Sequence, residues 1–246
     1  MAHKTLVGGT AYEISGGKTL VNGTAYSIDR GKTLISGTAY EVGFGVPVTL
    51  TIVGVGSYSS PSVKIGSTTY KPKSGIVTVE AKTGDVLTFD TAPHINGVAQ
   101  SSKTYTIFSD VTVCLIRSKE YGSVNHGDTA SISNKTYCSL SDANAPMATI
   151  TITGGTGNAF CRLEVNDVEY SSATTLRVPH GAYVYAYARN DQGTAANSRI
   201  FLNGSVLKYG GKSMATYTFL VTRSLAVNLD YYQSASDWVQ LSITEL

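Results

Sequence analysis

A fourteen-residue unit stands three times in succession at the N-terminus: KTLVGGTAYEISGG from Lys4, KTLVNGTAYSIDRG from Lys18 and KTLISGTAYEVGFG from Lys32. Each unit sets two short β-prone runs on either side of Gly-Gly, Asn-Gly or Ser-Gly. Two-residue hairpin turns favour these dipeptides because they tolerate positive φ, so each unit reads as a β-hairpin. With Asn22-Gly23 at the turn, Val21 faces Thr24, Leu20 faces Ala25 and Thr19 faces Tyr26. Thr, Val and Tyr then share one face, and Leu, Ala and the terminal Lys the other. Leu6, Val7 and Tyr12 hold these apolar places in the first unit, Leu20, Val21 and Tyr26 in the second, and Leu34, Ile35 and Tyr40 in the third. Hairpins this short cannot enclose a core of their own. Residues 1–45 therefore read as an assembly or docking element that needs a partner surface.

A longer duplication follows. TLTIVGVGSYSSPSVKIGSTTY, Thr49 to Tyr70, aligns without a gap with TITITGGTGNAFCRLEVNDVEY, Thr149 to Tyr170, at an offset of 100. The match runs on: Gly84 aligns with Gly181, Ile95-Asn-Gly97 with Leu202-Asn-Gly204, and Thr104-Tyr-Thr106 with Thr216-Tyr-Thr218. Short alternating runs punctuated by Gly, Asn, Ser and Asp are the sequence form of a β-sandwich, and no stretch reads as a helix. The expected fold is all-β: the hairpin repeats, then two tandem immunoglobulin-like β-sandwich modules over 46–118 and 147–246. Residues 119–146, rich in Ser, Asn and Asp, are expected to form a connector with an added hairpin around Asn125-His126-Gly127-Asp128. The tail from Trp238 reads as a last strand.

Composition narrows the function classes. Lys and Arg number 19 against 17 acidic residues, for a net charge of +2, with no basic run of the kind nucleic-acid binders carry. The start MAHKTLVGG has no apolar signal core, and no run approaches the roughly 20 apolar residues of a spanning helix, so synthesis in a cytosol without membrane insertion is expected. Cys114, Cys138 and Cys161 are odd in number and lack metal-ligand spacing, which suits small buried residues or free thiols.

Chemistry is hard to find. His3, His94, His126 and His180 fall in turns or tails without a second His or Cys at ligand spacing. Asp85, Asp90, Asp110 and Asp128 border Gly, Ser or Thr, where Asp caps turns. No Ser lies in GxSxG, and TGGTGNA (153–159) lacks the Lys of a phosphate loop. Asn166-Asp167 and Asn190-Asp191 offer oxygens for calcium but without the spacing of a dedicated loop. No enzyme, metal or cofactor is expected. The tyrosines are more informative: Tyr183, Tyr185 and Tyr187 alternate with Val184, Ala186 and Ala188 and share one face of a strand. The Gly84–Gly181 alignment places Val184 and Ala186 inward with Leu87 and Phe89, and the tyrosines outward as a contact surface. A one-residue slip would instead build the second core from them.

Tandem KTLVNGTAYSI-type units followed by TITITG, an INGV or LNGS turn and a TYTF strand resemble virion proteins of tailed phages that infect Gram-positive bacteria. The resemblance covers nearly the whole chain. It implies a structural or adsorption role on head, collar or tail, with other virion proteins as partners. A homo-oligomer, with a trimer as first choice, is expected by analogy with phage appendages. The alternative is a carbohydrate-binding or adhesive module in which the tyrosine strand contacts host surface glycans; the paired carboxylates of a glycan-degrading enzyme are lacking.

Overall fold

The computed structural model describes residues 3–7, 10–14, 18–21, 24–27, 30–35, 38–43, 45–55, 61–72, 74–125, 130–155, 160–189, 197–211, 214–231 and 238–246. Up to residue 43, and at Tyr231 and Trp238, it describes the backbone alone. The described residues form strands, turns and bends, with no helix.

Each N-terminal repeat is a separate two-stranded antiparallel sheet: β1 (His3–Val7) with β2 (Thr10–Ile14), β3 (Lys18–Val21) with β4 (Thr24–Ser27), and β5 (Arg30–Ile35) with β6 (Thr38–Gly43). In the second repeat Val21 pairs with Thr24, Leu20 with Ala25 and Thr19 with Tyr26, the register expected for an Asn22-Gly23 turn. The turn dipeptides themselves lie outside the described residues.

Module 1 has ten strands: β7 (Pro47–Val55), β8 (Val63–Ile65), β9 (Thr68–Tyr70), β10 (Gly75–Lys82), β11 (Val86–Phe89), β12 (His94–Ile95), β13 (Val98–Ala99), β14 (Thr104–Thr106), β15 (Val111–Tyr121) and β16 (Ile132–Asp142). A six-stranded sheet in the order β10-β7-β15-β16-β12-β13 packs on a four-stranded sheet in the order β14-β11-β8-β9. The apolar positions meet between them: Leu50, Ile52, Val113, Leu115 and Leu140 from the larger sheet, Leu87 and Phe89 from the smaller.

Module 2 repeats this strand for strand: β17 (Met147–Gly154), β18 (Cys161–Val165), β19 (Val168–Tyr170), β20 (Thr174–Pro179), β21 (Tyr183–Arg189), β22 (Asn197–Leu202), β23 (Ser205–Gly211), β24 (Met214–Leu220), β25 (Leu225–Tyr231) and β26 (Trp238–Glu245). Its sheets, β20-β17-β25-β26-β22-β23 and β19-β18-β21-β24, have the same orders. Asn96-Gly97 and Asn203-Gly204 make equivalent turns with φ of 50° and 83°, and of 50° and 79°. Positive φ at both central residues is the mark of a type I′ hairpin turn, which explains why this dipeptide stands in both copies.

The connector expected over 119–146 is corrected. Lys119 to Tyr121 close β15, and β16 pairs with β15 over its full length, from Val111↔Asp142 to Tyr121↔Ile132. This is the pair that β25 and β26 form in module 2, so module 1 ends at Asp142 and only residues 143–146 link the modules. Strand β16 looks like a linker because few of its side chains enter the core: Cys138 and Leu140 do, while Ser139 and Ser141 face module 2.

The body has two unlike ends. Turns 66–67, 83–84, 96–97, 166–167, 180–181 and 203–204, together with the tether 143–146, lie at the end where the hairpin repeats enter. Strands β7, β15, β17, β21 and β25 run away from that end and finish at the other, at Val55, Tyr121, Gly154, Arg189 and Tyr231.

Candidate functional site: the tyrosine-lined face between the modules

Strand β21 alternates as the Gly84–Gly181 alignment requires. Gly84 N donates to Ile107 O at 2.8 Å and Gly181 N to Val221 O at 2.9 Å, so the two glycines hold the same place. Val184, Ala186 and Ala188 enter the core of module 2, and the tyrosines lie on the opposite face. That face is covered by module 1. Tyr183 is fully buried in a third cluster with Val53, Val55, Cys114, Ile116 and Tyr137 of module 1, and Tyr185 and Leu220 pack against it. The tyrosines therefore build neither the core of their own sandwich nor an open surface; they join the two sandwiches.

Polar contacts frame this apolar centre. Ser141 Oγ donates to His180 O at 2.8 Å, and Ser139 Oγ donates to Gly181 O. Asn166 Oδ1 accepts from Tyr183 N at 3.0 Å and from Cys114 Sγ at 3.4 Å, which ties the Asn166-Asp167 turn to the junction. The far part of the β15–β16 ribbon lies along β24. There Ser118 Oγ and Thr218 Oγ1 are 2.8 Å apart, and Tyr121 N donates to Thr216 Oγ1 at 2.7 Å. Glu120, 6% exposed, accepts from Thr218 N at 2.8 Å through Oε1 and pairs with Lys208 Nζ at 3.2 Å through Oε2. Ser123 N donates to Tyr209 O at 2.6 Å. The hydroxyls of Tyr137 and Tyr183 are buried without a hydrogen-bond partner, and burial drives both phenols far above their ordinary range. Burial likewise lifts the Tyr185 phenol and the Cys114 thiol, each to about 12.

Comparing equivalent positions shows how the sequence sets this face. Val53, Cys114, Ile116 and Tyr137 of module 1 correspond to Thr153, Asn228, Asp230 and Gln240 of module 2. On the other side, Tyr183, Tyr185 and Tyr187 correspond to Val86, Thr88 and Asp90. The residues at the junction are apolar or aromatic, and of their counterparts only Val86 is apolar. The two outermost sheet faces carry mainly hydroxyl, amide and charged side chains, as the terminal units of a stack require.

At the margin of the junction Arg162 sits with its guanidinium carbon 4.0 Å from the ring centre of Tyr187, within cation–π range. Its Nε is 3.1 Å from Glu164 and from Glu169. Burial raises the Glu164 carboxyl, and Arg162 opposes the rise.

The remaining candidates do structural work. Asp90 accepts from Ser62 N at 2.9 Å, Asp85 from Lys82 N at 2.9 Å and Asp110 from Thr49 N at 2.7 Å. His94 meets Tyr137 edge-on at 5.9 Å. The three cysteines are buried and unpaired. Among the described residues no three His, Cys, Asp or Glu gather to hold a metal, and no helix is long and apolar enough to cross a membrane. His126, Asp128, Asn190-Asp191 and most of TGGTGNA lie outside the described residues. So do the side chains of Leu6, Val7, Tyr12, Leu20, Val21, Tyr26, Leu34, Ile35 and Tyr40. Compared with protein-family models, curated proteins and solved structures, the chain matches none.

Proposed function

We propose that this chain is a non-enzymatic structural protein of a phage virion, a decoration, head fibre or tail appendage, that docks through its hairpin repeats and displays two clasped sandwiches. The supporting observation is the use of apolar sheet surface. Val53, Cys114, Ile116, Tyr137 and Tyr183 are consumed between the modules, and the outermost faces are largely polar. The repeats, three small sheets each separate from the modules, are the element left in need of a partner. A homo-oligomer, a trimer by preference, would let hairpins of several chains cover one another.

Host-glycan adhesion through the tyrosine strand has less support. A sugar stacks on an open ring face, yet Tyr183 is buried, Tyr187 lies under Arg162 and Tyr185 is half-buried.

The test adds purified protein to particles that lack it. The full chain is expected to bind, and a chain without residues 1–44 is expected to fail while keeping its melting temperature. Equal decoration by the shortened chain would remove the docking role from the repeats.

A further inference from the structure

The outermost strand of a sheet presents unpaired N–H and C=O groups, and a long, regular, partly apolar one accepts a further strand unless something blocks it. The sandwich sheets end in β10 and β13, β14 and β9, β20 and β23, and β19 and β24. Strands β9, β13, β14 and β19 have only two or three residues. The longer edges of module 2 are blocked. Strand β24 lies under the β15–β16 ribbon, where Glu120 accepts from Thr218 N. Strand β23 carries two register shifts, and its Tyr209 O accepts from Ser123 N. On β20, His180 N donates to Pro146 O, so alternation turns Thr175, Arg177 and Pro179 outward, and Pro179 has no N–H to offer. Strand β10 has neither cover, bulge nor proline. Its eight residues pair with β7 without a register shift, and among the described residues no strand pairs with its other side.

The ladder fixes which groups of β10 are open. Thr83 N donates to Val46 O at 2.9 Å, so Ile76, Thr78, Glu80 and Lys82 turn their backbone groups away from β7. Lys82 is closed by its own turn: its N–H donates to Asp85 Oδ2 at 2.9 Å, and its carbonyl accepts from Asp85 N at 3.0 Å. Ile76, Thr78 and Glu80 remain open, on an edge where Ile76 and Val77 are 54% and 39% exposed. We infer that β10 pairs with the β10 of a second copy of the chain, antiparallel about a two-fold axis at Thr78. The occupant is the same strand because the open pattern is its own complement, as an isologous contact requires. Thr78 meets Thr78 of the second copy, and Ile76 meets Glu80 in both directions, so every open N–H and C=O of the three residues is used. On the core side Val77 meets Val79 of the second copy; Thr–Thr and aliphatic pairs of this kind stabilise sheets. The two Glu80 carboxylates stay about 14 Å apart along the strands. An axis at Glu80 would oppose them, one at Val79 would set Ile76 against the closed Lys82, and one nearer Ile76 would carry Glu80 past the start of the partner strand. The contact is separate from the docking role proposed for the repeats and does not depend on it.

Sedimentation equilibrium of the full chain is expected to show self-association. Ile76→Glu, at an exposed residue, sets a carboxylate opposite Glu80 twice in each contact and is expected to weaken association by about tenfold while the melting temperature holds. Adding Glu80→Lys to that variant is expected to restore association. Thr78→Cys puts a thiol at the axis, where the Cα atoms of a hydrogen-bonded pair stand about 5.5 Å apart, within disulfide reach. The native thiols being buried, mild oxidation of this variant is expected to give a covalent dimer, and the same treatment of Glu80→Cys to give none. Association that weakens with Ile76→Glu, without rescue by Glu80→Lys and without the Thr78→Cys dimer, would overturn the two-fold pairing in favour of another strand on this edge. Association indifferent to Ile76→Glu would overturn the edge contact but leave docking through the repeats standing. A full chain that is monomeric at all concentrations would overturn the pairing outright.

Discussion

Tyr183 offers the sharpest test of the module junction, because its ring and its hydroxyl pull in opposite directions. The ring fills the cluster of Val53, Val55, Cys114, Ile116 and Tyr137, and removing a large aromatic from such a site costs about 3–5 kcal/mol. The hydroxyl is buried without a partner, which costs the folded state roughly 1–3 kcal/mol. Tyr183→Phe keeps the ring and sheds the penalty, so it should stabilise the protein by about 1 kcal/mol, a rise in melting temperature of about 2–4 °C at this size. Tyr183→Ala should lose about 2 kcal/mol net. Urea titration gives both values, and two buried thiols report each module separately: Cys138 in the core of module 1 and Cys161 in that of module 2. Both thiols should become reactive at the same urea concentration, shifted together by either substitution. A Phe variant weaker than the original by about 1 kcal/mol, or a Cys161 exposed well before Cys138, would refute the account of a shared core.

Three further outcomes follow from the same geometry. Gly181→Ala should cost roughly 2–3 kcal/mol, since φ is +89° and the new Cβ would stand 2.9 Å from Ser141 Oγ and 3.1 Å from Leu140 O. Gly204→Ala, at φ +79° with open space around it, should cost only about 1 kcal/mol by thermal denaturation. Glu120→Ala should lose about 3 kcal/mol by stranding Lys208, whereas Glu120→Leu combined with Lys208→Met should come close to neutral; urea midpoints separate the two. Stability should also fall in alkali. Burial lifts the Cys114 and Cys138 thiols from 9.0 to about 12, so above pH 9 the unfolded chain has released protons that the folded chain still holds. Stability is then full below about pH 8 and declines from about 9 to 12. Urea midpoints that stay level across that range would contradict the buried, protonated thiols.

Much of this arrangement could be read from the residues. The offset-100 duplication and the Asn-Gly dipeptides located equivalent strands and turns, and aligning Gly84 with Gly181 put Val184 and Ala186 inside and the tyrosines out; the match of Thr104 with Thr216 was two residues out, since Thr104 pairs with Thr88 as Thr218 pairs with Tyr185. Reading each module alone hid what the tyrosines touch. The missing signal lay in the differences between the copies: Cys114 against Asn228, Ile116 against Asp230, Thr88 against Tyr185. A surface that turns apolar on one copy and not the other marks a contact between them. Strand β16 was obscured for the same reason. Its outward Ser139 and Ser141 serve a partner sheet, so its alternation looks like that of a polar linker. The hairpin side chains carry the assembly proposal on sequence grounds, through the two partly apolar faces that each repeat presents.

The unlike ends of the body bear on how such a protein can change over generations. At the entry end the turns are tight and several backbones approach within contact distance, as at Gly97 and Gly181; an inserted residue there would disturb both modules at once. At the opposite end β25 and β26 pair as far as Tyr231↔Val239, and doubling the length of chain that joins two such strands costs about 0.6 kcal/mol in closure entropy. New sequence between Tyr231 and Trp238 therefore leaves the register of β25 and β26 to be held by their own seven pairs. A foreign peptide grafted between those two residues is expected to keep that register, which makes this strand connection the natural place to display an epitope or a new binding loop.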